Sequence, residues 1–217
     1  MEQGKGDIWD SGKIESDASQ WIAYQGKTLK RNAPYYWKVK IDTNKGTTDW
    51  STPAFWTTGL FNEADWQGQW IGLDKAAPGD SETQWSRLAA RYLRKEFALK
   101  KEVKRATVHI AGMGLYELFI NGQRIGNQVL APAPTDYRKT ILYNTYDVTS
   151  LLQTENAIGV TLGNGRFYTM RQNYKPYKIP TFGYPKLRLN LIVEYADGSK
   201  ETIATNPTWK LTTDGPI

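Results

Sequence analysis

The chain has 217 residues, 40% hydrophobic and 23% charged, with no cysteine. This is ordinary globular usage, which excludes a mostly disordered chain, a disulfide framework and a thiolate metal site, and no apolar run approaches the ~18 residues of a membrane span. The net charge of +6 is spread thinly, with Glu102 among Lys100, Lys101, Lys104 and Arg105; without a zinc spacing, a basic helix or an RNA-binding aromatic signature, neither nucleic acid nor membrane is expected as a partner.

The first ten residues are polar and glycine-rich and carry no signal-peptide run. After Pro34, the segment Tyr35 to Ile41 alternates large apolar and polar side chains as a half-buried strand does. Asn44-Lys45-Gly46 supplies a turn. Trp50 to Gly59 then reads as an edge strand, where Pro53 is tolerated. A connector follows, with Asn62 placed to cap one helical turn and a loop around Pro78-Gly79-Asp80.

From residue 87 a second strand series begins with Arg91 to Phe97 and Ala106 to Ala111. Tyr116 to Ile120 and Gln123 to Ile125 flank Asn121-Gly122, a strong hairpin signal because both turn residues need positive φ. Tyr143 to Tyr146 is another strand, and Asp147 is placed to cap a turn through Leu152. Ala157 to Leu162 follows. Lys186 to Tyr195 puts Leu187, Leu189, Leu191, Val193 and Tyr195 on one face and Lys186, Arg188, Asn190 and Glu194 on the other. Asp197-Gly198 turns back into Glu201 to Ala204, and Trp209 to Leu211 closes the series. No long helix of 3.6-residue period is present. The fold class is therefore all-β, two antiparallel β-sandwich modules, a small incomplete one followed by a larger jelly-roll-like one.

The 9 Trp, 13 Tyr and 6 Phe favour strands, and flat rings also suit the C–H faces of sugars. The run Gly112-Met113-Gly114-Leu115-Tyr116-Glu117-Leu118-Phe119-Ile120-Asn121-Gly122, then Val129-Leu130-Ala131-Pro132, Thr135-Asp136-Tyr137, Tyr143 to Thr149 and Leu162 to Tyr168, resembles the N-terminal domain of bacterial α-L-rhamnosidases, glycoside hydrolase family 78. Upstream, Tyr35-Tyr36-Trp37-Lys38-Val39 with Trp50-Ser51 and Phe55 to Gly59 resembles a fibronectin-type-III-like module. The resemblance implies a partial module over 1–60, a connector over 61–86 and the rhamnosidase N-terminal sandwich over 87–217.

It also implies an inverting hydrolase of terminal α-L-rhamnosyl groups, periplasmic or extracellular, whose carboxylates lie in an (α/α)₆ barrel. Neither carboxylate maps onto this chain, so no catalytic residue is assigned, and an inactive fragment supporting the parent enzyme's catalytic domain is expected. The alternatives are an autonomous module binding rhamnose-containing glycans and a purely structural sandwich. Candidate sugar contacts are Asp136, Tyr137, Arg166, Tyr168 and Tyr174, on loops where rings and donors mix. For Asp136 an Asx-type turn is the plainer reading and a sugar-hydroxyl acceptor the sharper one, and the 166–178 loop equally suits packing on a neighbouring domain. No cofactor is required. Calcium, which needs only oxygen ligands, is allowed by the resemblance, with Glu117, Asn121 and Asp136 as the oxygens to inspect. His109, between Val108 and Ile110, reads as packed or surface rather than as a base.

Overall fold

The structure, a computed structural model, describes residues 6–18, 20–76, 88–168 and 182–215. Two compact units divide at Phe61.

In the first unit β1 (Pro34–Trp37) pairs antiparallel with β4 (Ala54–Thr57), and β2 (Asp42–Thr43) pairs with β3 (Gly46–Thr47). Cross-strand rings hold the β1–β4 ribbon: Tyr35 lies 5.3 Å from Trp56 and Tyr36 lies 5.9 Å from Phe55, the pairing that stabilises antiparallel strands. Thr58 closes the base, accepting the Ala33 N–H and donating to Lys30 O. Tyr36, Trp37, Phe55 and Trp56 remain exposed. The strands are shorter than the alternation suggested, since Lys38 to Ile41 and Trp50 to Pro53 fall outside them.

Among the described residues the second unit holds ten strands. They are β5 (Ile71–Gly72), β6 (Arg91–Ala98), β7 (Val103–Met113), β8 (Leu115–Ile120), β9 (Gln123–Ile125), β10 (Tyr143–Asp147), β11 (Glu155–Gly163), β12 (Lys186–Tyr195), β13 (Lys200–Ala204) and β14 (Lys210–Thr212). One sheet runs β10-β7-β12-β13, with β5 also paired to β12; the other runs β14-β6-β11-β8-β9. Every pairing is antiparallel. Alternate residues of both sheets meet in one core: Val108 and Ile110 of β7 and Leu187 to Val193 of β12 from the first, Leu118 and Ile120 of β8 and Ile158 to Leu162 of β11 from the second. Asn121 (φ 51°) and Gly122 (φ 81°) make the expected tight turn between β8 and β9.

The stretch 62–72, read from sequence as connecting chain, is built into this sandwich. A 3₁₀ turn at Glu63–Asp65 starts behind Asn62, whose N–H is taken by the Asp65 carboxylate. Gly68 then passes so close to β12 that a Cβ there would lie 2.5 Å from Leu189 O and 2.7 Å from Thr205 Oγ1. Only glycine allows that approach.

Candidate functional site

The β10-β7-β12 sheet has a second face. With Val108 and Ile110 in the core, Thr107, His109 and Ala111 must point the other way, yet all three are buried. The 62–70 segment runs along this face of the sheet. Gly68 N–H donates to Asn190 Oδ1 at 2.8 Å, Asn190 Nδ2 donates to Asp65 O at 3.2 Å, and Gln69 N–H donates to Thr205 O at 2.8 Å. Asn190 is thus a buried amide whose oxygen and nitrogen are both used, as burial demands.

Strand register builds the site in rows. His109 partners Thr145 on one side and Asn190 on the other. Its Nδ1 lies 3.0 Å from Thr145 Oγ1, and its ring meets Tyr143 at 5.9 Å. Burial, with a smaller push from Arg105, moves its pKa down to about 4, so it is a neutral, packed imidazole near pH 7. In the next row Ala111 partners Tyr143 and Arg188.

That small residue floors a cleft of about 270 Å³, walled by Trp66, Trp70, Tyr143 and Arg188 and rimmed by Glu63 and the 137–141 loop. Trp66 meets Tyr143 edge to face at 5.4 Å. The Arg188 guanidinium lies 5.2 Å from the Trp66 ring and 5.9 Å from the Trp70 ring, a cation–π arrangement. Its Nε donates to Gly68 O at 2.6 Å and its Nη1 to Glu63. Its Nη2 has no partner among the described residues.

The candidates from sequence divide. Tyr137 lines this cleft and also packs edge to face on Phe167 and Phe182, at 5.2 and 5.3 Å. Its hydroxyl is buried without a hydrogen bond among the described residues, and burial raises its pKa against an opposing effect of Arg166. Arg166 is exposed beside it, and Tyr168 stacks on Tyr184 at 5.7 Å. Tyr174 lies outside the described residues. Asp136 makes the Asx-type turn: its Oδ1 accepts the Arg138 N–H at 3.3 Å and Nε at 2.9 Å, and its carbonyl accepts from Lys139 and Thr140. The Arg138 hydrogen bond holds its pKa below the usual carboxylate value.

Glu117, Asn121 and Asp136 are each engaged separately. Glu117 points outward from β8, 3.3 Å from Arg124. Asn121 Oδ1 accepts the Ala157 N–H, and its Nδ2 donates to Leu151 O and Asn156 Oδ1. No group of three His, Cys, Asp or Glu side chains suited to a metal occurs among the described residues. Trp66, Trp70, Ala111, Tyr143, Arg188 and Glu63, which line the cleft, were not among the candidates read from sequence. The polar face of Lys186 to Tyr195 already marked Arg188 as outward, but nothing local showed that 62–72 returns to cover it.

The model of the α-L-rhamnosidase N-terminal domain matches residues 101–217, and that of the Rha78A-like, N-terminal immunoglobulin domain matches residues 1–62. An α-L-rhamnosidase of Formosa agariphila is 37% identical over the whole chain, and one of Alteromonas sp. is 33% identical over 97% of it. The chain spans 25% and 23% of those proteins, about a quarter of their length. Among solved structures, the α-L-rhamnosidase from Dictyoglumus thermophilum superposes with a TM-score of 0.84 at 39% identity, over 98% of this chain and 24% of that one. The Aspergillus terreus enzyme gives 0.77 at 33% identity, over 85% and 21%. The first unit is thus of immunoglobulin type, a sandwich relative of the fibronectin module expected from its tryptophans. Residues 101–217 form an α-L-rhamnosidase N-terminal domain, and the chain belongs to that family.

Proposed function

We propose that this chain serves an α-L-rhamnosidase as a non-catalytic module, supporting the catalytic domain and holding rhamnosyl-bearing glycan in the cleft over Ala111. The observation that carries the sugar contact is the row Tyr143–Ala111–Arg188 under Trp66. A small floor between an aromatic ring and a fixed donor suits a pyranose, whose C–H face packs on a ring while its hydroxyls accept hydrogen bonds. The non-catalytic part rests on the carboxylates. Inverting hydrolysis needs an acid and a base about 6.5–9.5 Å apart, whereas among the described residues the cleft is lined by one carboxylate, Glu63, already paired with Arg188. No cofactor enters this reading.

Titration of the chain with L-rhamnose, followed by NMR of the Trp66 and Trp70 indole N–H signals, tests the contact. Saturable shifts that Trp66→Ala abolishes are expected; unmoved signals at high sugar concentration would refute it. Release of rhamnose from an aryl α-L-rhamnoside by the purified chain would refute the non-catalytic part.

A further inference from the structure

Among the described residues, three cations and one carboxylate line the cleft: Arg138, Lys139 and Arg188 against Glu63. Asp136, beside the loop, engages Arg138 at 2.9 Å and reaches Lys139 only at 4.0 Å. Arg188 differs from the other two. Its side chain is 12% exposed, and Gly68 O and Glu63 fix its Nε and Nη1, so its remaining edge is oriented before any ligand arrives. A guanidinium held in this way pairs with planar or tetrahedral anions through charge-assisted hydrogen bonds. A neutral rhamnosyl group would use the rings and offer that remaining edge only hydroxyl acceptors, which bind a guanidinium more weakly than an anion does.

We propose that the cleft selects an anionic pyranose, its carboxylate or sulfate received by Arg188 Nη2 with Lys139 at the rim and its ring laid against Trp66. This rests on the sugar-contact reading above and adds the charge of the unit recognised. The module would then favour glycans in which an acidic sugar accompanies rhamnose.

The test is an NMR titration of the full chain with methyl β-D-glucuronide, a sulfated methyl glycoside, neutral methyl β-D-glucoside, L-rhamnose and sodium acetate, reading the Trp66 and Trp70 indole signals. One acidic sugar or both should bind about tenfold or more tighter than the neutral glucoside, the scale of one charge-assisted hydrogen bond, and the two acidic arms show whether carboxylate or sulfate is preferred. The advantage should shrink as salt is raised. Arg188→Gln should remove it. Because Arg188 also secures Gly68, Lys139→Gln provides a variant at an 81% exposed side chain, expected to weaken acidic sugars alone by about two- to threefold. Equal binding of acidic and neutral sugars overturns the proposal and leaves the sugar contact standing. Acetate moving the signals as strongly as the glucuronide also overturns it, since the site would then take any anion. If no sugar moves the signals, both readings fall.

Discussion

Arg188 on β12 stands directly across from Ala111 on β7, so a long cation faces a methyl group on the outer side of the sheet. Tyr143 borders the same alanine from β10. The cleft exists because the middle member of this row is small.

Ala111→Leu should therefore fill the floor. Ala111 is 4% exposed, and overpacking such a position costs about 1–3 kcal/mol. Denaturant unfolding should show that loss, with the chain still folded, and the Trp66 indole signal should no longer respond to sugar. A response of wild-type size would mean that ligand sits elsewhere.

Gly68→Ala tests how the 62–70 segment is held. The added methyl would press on Leu189 O and the Thr205 hydroxyl, groups fixed by β12 and by the bond from Leu189 N–H to Thr205 Oγ1. We expect a loss of about 1–3 kcal/mol in urea unfolding. Since Gly68 O also orients Arg188, sugar affinity should fall in the same variant. Unchanged stability would mean that 62–70 is not anchored through this approach.

These positions show what the sequence could and could not disclose. The Asn121-Gly122 turn is local chemistry, and it was legible. The Leu187 to Tyr195 alternation is also local, and it put Arg188 and Asn190 on the outer face. The cleft is not local: Ala111, Tyr143 and Arg188 come from three strands joined only by register, and Trp66 arrives from a stretch with no periodicity of its own. Tyr137, named with its Thr-Asp-Tyr motif, lines the cleft, while its neighbour Asp136, drawn from the same motif, is committed to its turn and Arg138.

Calcium gives a further check. Asn121 Oδ1 accepts the Ala157 N–H, and the Glu117 and Asp136 carboxylates face arginines. We expect calcium or a chelator to leave Tm within about 1 °C, because an ion that binds the native state raises stability by mass action. A calcium-dependent rise of several degrees would point to a site built from other oxygens. Asn121→Ala, by contrast, should destabilise by about 1–3 kcal/mol, since it removes three hydrogen bonds and places alanine at φ 51°.

His109 makes stability depend on pH in a stated direction. Its folded pKa is pushed down to about 4 from 6.5, so between those values the unfolded chain binds the proton that the native chain refuses. Stability from this group is then whole above about pH 6.5, declines as pH falls toward 4, and declines no further below it. The full change is on the order of 3 kcal/mol. Because His109 lies in the row with Thr145 and Asn190, its protonation should loosen the anchorage of 62–70 as well as the fold. Urea unfolding between pH 7 and 4 should show the slope, and His109→Gln should flatten it. Carboxylates such as Glu194, whose pKa is lowered beside Arg105 and Lys200 despite its partial burial, act mainly below about pH 4.5, so an equally steep slope between about pH 6.5 and 5 in that variant would overturn the assignment to His109.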